Sequence, residues 1–320
     1  MIERNSIYKG DQNIMKEIKE LSNTYLDFCK NQKRLDAKTI KAYQIDLKQF
    51  ISYLSSNNIQ DITSPLLEQY VALLHQSYKP KTSKRKIASL KAFFKYLEYK
   101  DIIVINPFNK LNIRFREPII LPKTIPLSTI EILLSTMYKH FYSSTTPHKK
   151  RTCLRDIAVI ELLFATGIRI SELCSLKTED VNLQARSILI FGKGKKERLL
   201  HIGNDDVFKI LNEYYNEFYV EINLCKHFFA NTSGFALSDQ SVRRMIRKYS
   251  SLASIDMRIT PHMFRHTFAT SLLEADVDIR YIQEMLGHSS INVTEIYTHV
   301  ALSKQREILA TKHPRQRIRF

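Results

Sequence analysis

The stretch TPHMFRHTFATSLLEADVDIRYIQEMLGHSSINVTEIYTHV, Thr260 to Val300, constrains this chain more than any other part of it. His262, Arg265 and His266 recur at helical spacing, so a helix carries them on one face. Pro261 suits a first helical position, with Thr260 as its cap. A second helix from about Asp278 ends at Gly287 and leaves His288 just past its C-terminus. Tyr297 follows on a short segment that starts near Ser289 or Ser290. A guanidinium, imidazoles and a phenol gathered in this way suit one task, which is holding a phosphate diester while a hydroxyl attacks it.

Each of these residues alone has a plainer reading. Tyr297 is one of 16 tyrosines and reads as core. His262 and His266 resemble a helical zinc pair, but Met263 stands where that pattern needs Glu, and no metal site is expected. Arg265 alone reads as a surface ion-pair former. Two further motifs upstream favour the combination. FATGIRISELCSLKTEDV places Arg169 just after Gly167 and on the same turn as Glu172. SILIFGKGKKERLLHIG reads as two apolar strands joined by a basic turn, with Gly192 and Gly194 marking the turn and Lys193 at its tip. As a solvated hairpin this is ordinary; as a mobile lysine over a cleft it reaches a phosphate or a leaving oxygen.

ATGIRISEL, the GKGKKER hairpin, HMFRH, LGH and the tyrosine beyond them resemble the tyrosine recombinases, the lambda-integrase family with its Xer members. The resemblance covers nearly the whole chain. It implies that Arg169, Lys193, His262, Arg265, His288 and Tyr297 occupy the six catalytic positions, and that Glu172 supports the first arginine. Phe264 stands where the family often has Leu, and the stretch from Phe141 to Arg151 is longer and more basic than in compact Xer proteins.

Composition agrees. Lys plus Arg is 49 against 32 acids, a formal charge of +17, which favours a polyanionic partner. No apolar run reaches membrane-spanning length, and the polar N-terminus lacks a signal-peptide core. Cys29, Cys153, Cys174 and Cys225 form no CxxC and no metal spacing, so they read as reduced thiols of a cytoplasmic protein.

Apolar periodicity gives a mainly α chain with a small β-sheet (α+β). In residues 1–105 one helix carries Ile14, Ile18, Leu21, Tyr25 and Phe28, a second is capped near Asp36, Ser64-Pro65 opens a third, and a fourth carries Ile87 to Leu97. The fourth begins in a basic run, Lys79, Lys81, Lys84, Arg85 and Lys86, read as lying against DNA phosphates. Residues 106–126 hold four prolines with Arg114 and Arg116 and read as an extended basic DNA-contacting linker. Residues 127–320 form the second domain, opened by a Ser128–Glu131 capping box. Its helices are expected near 155–165, 171–177, 204–220 and 239–252, with a short strand at 227–231. The resemblance implies that the first domain is a SAM-like core-binding domain and the second the catalytic one. It implies a C-shaped clamp on duplex DNA and a tail whose Val300, Leu302, Ile308 and Leu309 dock in a neighbouring protomer.

A phenol has a pKa of about 10 and attacks only if its proton is accepted. Arg169 and Arg265 offer forked hydrogen bonds to non-bridging phosphate oxygens, His262 or His288 accepts the proton, and Lys193 suits the departing 5′-oxygen. The product is a 3′-phosphotyrosine beside a free 5′-hydroxyl, an exchange that conserves the ester and needs no cofactor. No G-x-x-x-x-G-K loop is present. The expected function is therefore site-specific recombination through a Holliday junction, in dimer resolution or mobile-element integration and excision. The expected partners are double-stranded DNA with inverted-repeat half-sites and further recombinase protomers, identical or paralogous, in a tetramer. A type IB topoisomerase-like strand transferase and a catalytically silent DNA-binding protein are the alternatives.

Overall fold

The computed structural model describes residues 17–56, 58–113, 115, 123–192 and 197–287. Arg114, Arg116, Lys193, His288, Tyr297, the first residues including Ile14, and the basic tail lie outside these described residues. The chain divides into two compact units, Met1–Pro118 and Ile119–Phe320, each with its own core.

Among the described residues the first unit holds the helices α1 (Ile18–Asn31), α2 (Ala37–Tyr53), α3 (Ser64–Ser77) and α4 (Pro80–Tyr99). Local chemistry sets their starts: the Asp36 carboxylate accepts from Lys38 N at 2.7 Å, and prolines stand in the first turns of α3 and α4. Apolar stripes then meet in an aromatic core, where the Tyr25 and Phe93 rings lie 5.4 Å apart and those of Phe50 and Tyr70 5.0 Å apart. The extended linker expected from Asn106 does not begin there. Asn106 caps a short 3-10 turn, Pro107–Lys110, and the buried Phe108 ring packs 5.4 Å from that of Phe94. An apolar ring next to an open core face gains more by burial than the segment gains by extending.

One residue of the basic run is misassigned by the sequence. Helical spacing places Lys86 on the buried stripe of α4 with Ser83, Ile87 and Leu90, and it is only 3% exposed. Its ammonium reaches Asp46 Oδ1 at 3.3 Å and bonds Gln49, with the Tyr78 ring beneath it at 4.7 Å. Asp46 also accepts from Arg85 and, at 2.7 Å, from Ser89 Oγ. A buried lysine must be paired, and this one is committed to protein instead of phosphate. Lys79, Lys81, Lys84 and Arg85 remain on the exposed side.

The second unit is built around α6 (Pro147–Thr166), whose residues from Ile157 to Leu163 are all buried. Around it pack α5 (Leu127–Ser143), α8 (Asp205–Glu217), α10 (Asp239–Leu252) and α11 (Pro261–Glu274). The shorter α7 (Ile170–Ser175), α9 (Tyr219–Cys225) and α12 (Ile279–Leu286) complete the helices among the described residues. A three-stranded antiparallel sheet runs β1 (Val181–Asn182), β2 (Ser187–Phe191), β3 (Glu197–His201), with Leu189 opposite Leu199 and Phe191 opposite Glu197. None of the described helices is long and apolar enough to cross a membrane.

Three expectations differ here. The Ser128–Glu131 capping box does not form: α5 starts at Leu127 with Pro126 as its cap residue. Ile125 N is bound by Thr267 Oγ1 at 2.7 Å, and this bond to α11 fixes where the helix can begin. Residues 227–231 make only single bridges, Lys177 with His227 and Ala230 with Ala236, because loops rather than strands flank this buried apolar run. The expected helix at 204–220 breaks at Phe218 into α8 and α9. The unassigned basic stretch closes α5 and opens α6, where Arg151 Nη2 pairs with Glu221 Oε1 at 3.0 Å.

Candidate functional site

The site begins where α6 stops. Gly167 ends that helix with φ +60°, and a Cβ there would lie 2.6 Å from Phe268 Cδ1 and 3.0 Å from Leu286 Cδ2. Glycine therefore serves twice, reversing the chain in the left-handed region and letting α6 approach the corner between α11 and α12. The chain re-enters a helix at once, with Arg169 at the N-cap of α7. The Glu172 carboxylate accepts from Arg169 N at 3.0 Å and from Arg169 Nη1 at 2.7 Å. The spacing of Gly167, Arg169 and Glu172 is thus a helix stop, an arginine and its holder in order.

Arg265 approaches from α11 and is 5% exposed. Its Nη1 donates to Gly167 O at 2.9 Å and its Nη2 to Leu286 O at 2.6 Å. Arg169 Nη1 also reaches Leu286 O, at 3.5 Å. The last carbonyls of a helix lack intrahelical partners and lie at the negative end of its dipole, so the C-terminus of α12 draws guanidinium groups. Arg169, 34% exposed along its side chain, is the more open of the two.

A third arginine, Arg198 on β3, belongs to the same cluster and was not singled out by the sequence. Its fork spans the carboxylate, Nη2 to Glu172 Oε2 at 2.6 Å and Nη1 to Glu172 Oε1 at 3.2 Å, while its Nε donates to Met285 O at 2.8 Å. The available signal was strand alternation: with Glu197, Leu199 and His201 exposed, Arg198 and Leu200 fall on the inward face, where a charge implies a partner. Burial works to raise the Glu172 pKa, but hydrogen bonds from Arg198 and Arg169 outweigh it and hold the carboxyl below its ordinary value. It stays ionised at neutral pH.

His262 stands one turn ahead of Arg265 on the same helix face, open to solvent along part of its surface. Partial desolvation, and then the positive charges of Arg243, Arg265 and Arg169, lower its pKa. A depressed imidazole pKa means that the neutral, proton-accepting form persists to lower pH than in a free ring. In an NMR titration the His262 ring is expected to protonate with a midpoint below about 6.5. Arg243→Gln, by removing a cation, should move that midpoint upward. A midpoint at or above the free value would contradict this electrostatic picture.

The structure thus brings Arg169, Glu172, His262 and Arg265 together. Among the described residues no group of three or more His, Cys, Asp or Glu side chains is arranged to hold a metal ion. Lys193 stands in sequence between β2 and β3, His288 follows Gly287, and both fall outside the described residues with Tyr297.

Residues 134–304 match the model of the phage integrase family, and residues 23–100 that of the phage integrase N-terminal SAM-like domain. A tyrosine recombinase of Agathobacter rectalis is 65% identical over 297 residues, covering 93% of this chain and 97% of that protein. The tyrosine recombinase XerD of Listeria innocua is 35% identical over 92% of this chain and 99% of its own. Among solved structures, the pre-cleavage complex of the XerH site-specific recombinase with its difH substrate has a TM-score of 0.68 at 24% identity. That alignment spans 90% of this chain and 84% of XerH, and it shows a shared fold.

Proposed function

Because the chain belongs to the phage integrase family, the tyrosine recombinases, we propose that the cluster around the end of α12 is its strand-transfer site. The protein is a site-specific DNA recombinase, an enzyme that cuts and rejoins DNA strands through a covalent phosphotyrosine. The observation that carries the site assignment is the meeting of Arg169 and Arg265 at one carbonyl, Leu286 O, with Glu172 holding the first arginine. Two guanidinium groups fixed by protein acceptors cost no reorganisation when negative charge grows on a phosphorane oxygen. Their forked donors match non-bridging oxygens as an ammonium does not.

In this reading Tyr297 Oη attacks the scissile phosphorus and passes its proton to His262, which is neutral at working pH. The bond from phosphorus to the 5′-oxygen breaks, Lys193 gives that oxygen a proton, and His288 adds a donor to the phosphate. The 3′-phosphotyrosine keeps the ester, so the 5′-hydroxyl of another duplex reverses the step and restores the tyrosine. Each protomer has one such tyrosine, and exchanging two duplexes requires four cleavages, so four protomers on inverted-repeat half-sites suffice. The exposed Lys79 at the start of α4 and Lys81, Lys84 and Arg85 within it supply phosphate contacts of the first domain, and Arg114 and Arg116 supply those of the stretch after the Pro107–Lys110 turn.

A strand-exchange assay in EDTA tests the reaction class. With two duplexes carrying inverted-repeat half-sites, recombinant strands and a transient protein-linked strand are expected without divalent metal or nucleotide. Dependence on magnesium, or strand breaks with no protein attached, would overturn the assignment. Relaxation of supercoils by single protomers without exchange would instead favour a topoisomerase.

A further inference from the structure

Arg198 and Glu172 are both almost closed to solvent, with side chains 8% and 7% exposed. The guanidinium is directed wholly at protein. Its Nη1 and Nη2 hold the two carboxylate oxygens, its Nε holds Met285 O, and Gly287 closes over it. A Cβ on Gly287 would lie 2.9 Å from Arg198 Nη1 and 3.2 Å from Cδ, so the residue before His288 is a glycine with room for nothing larger against this side chain. Arg198 is thus placed beneath the site, with protein between it and any phosphate held by Arg169.

We propose that Arg198 is a positioning residue for strand cleavage, one guanidinium that ties the hairpin, the Arg169–Glu172 pair and the end of α12 into a single mount. This rests on the strand-transfer reading of the site. Each oxygen of Glu172 is shared between the two arginines: Oε1 receives Arg169 Nη1 and Arg198 Nη1, and Oε2 receives Arg169 N and Arg198 Nη2. A carboxylate held by one guanidinium can turn about its last torsion. Gripped across both oxygens from β3, it cannot turn without breaking a fork, and neither can the Arg169 it supports. At the same time the consecutive carbonyls of Met285 and Leu286 are held by Arg198 and by Arg265, which fixes the helix end from which the chain runs to His288 and Tyr297. Arg198 lies on β3, which follows Lys193 in sequence, so the same side chain links that strand to the support of Arg169 and to the helix end that precedes His288. Lysine could supply the charge but not three donors in a plane.

The test is a double-variant cycle in the full chain, using Arg198→Lys, Glu172→Gln and their combination. Single-turnover cleavage of a nicked suicide duplex is read below the melting temperature of every variant, with DNA affinity measured by gel shift. Arg198→Lys is expected to bind DNA as the parent does and to cleave roughly 10²-fold more slowly, as a displaced reacting group does. The losses of Arg198→Lys and Glu172→Gln should not multiply in the double variant, because the two residues act as a unit. Full-rate cleavage by Arg198→Lys, or losses that multiply, would overturn the proposal. If Arg198→Lys does not fold, Arg198→Gln takes its place in the same cycle, judged by the same two outcomes. Tyr297→Phe run alongside separates the levels: adducts formed by that variant refute the strand-transfer reading itself. Their absence beside full-rate Arg198→Lys refutes only the role of Arg198.

Discussion

Tyr297→Phe is expected to reduce covalent protein–DNA adducts by several orders of magnitude while leaving DNA affinity unchanged. The substitution removes one oxygen and keeps the ring, so whatever the ring packs against is preserved and only the attacking atom is lost. A nicked suicide duplex, whose cleaved end diffuses away, traps the adduct for reading on a denaturing gel. No other tyrosine in the described cores offers itself as a substitute nucleophile. Desolvation holds buried phenols such as Tyr214 and Tyr249 above their ordinary pKa, so they resist giving up a proton. Undiminished adducts in Tyr297→Phe would remove this tyrosine from the mechanism.

Arg265→Lys is expected to show the next largest loss, about 10²- to 10³-fold in single-turnover cleavage, the usual effect of removing a preorganised donor from developing negative charge. The arginine is nearly buried and spans two carbonyls, Gly167 O at 2.9 Å and Leu286 O at 2.6 Å. An ammonium cannot hold both and still face a phosphate, because its donors do not lie in a fork. One carbonyl left without its partner costs a further ~1–3 kcal/mol of stability, visible as a lower melting temperature. The two effects are separable by assaying well below the melting point. Cleavage within a few-fold of the parent under those conditions would show that the guanidinium is needed for folding alone.

Much of the fold was legible locally. Asp36 and Asp278 cap helices as their positions suggest, prolines open α3 and α11, and Gly287 ends α12 in the left-handed region. The alternation around Gly192 and Gly194 gave β2 and β3. These succeed because caps, stops and strand alternation are settled within a few residues. Ser128 failed as a cap because a distant side chain, Thr267, fixes the residues before it, and 227–231 failed as a strand because no neighbouring strand lies beside it. Both outcomes depend on what lies across the core, which local preference does not encode.

The sequence by itself determined the inventory of this protein: Arg169 just past a helix stop, Arg265 on a helix face with His262 one turn before it, the holder Glu172, and the cationic excess. Tertiary structure alone decided which cations are spent on protein. Lys86 reads like its neighbours in the basic run, yet it pairs with Asp46, forty positions away, because the register of α4 turns it inward. Arg198 reads like part of a solvated turn, yet β3 turns it toward Glu172 and the last carbonyls of α12. A charge taken out of water must find its counter-charge or acceptor in the same place, and that place exists only once the helices and the hairpin have packed.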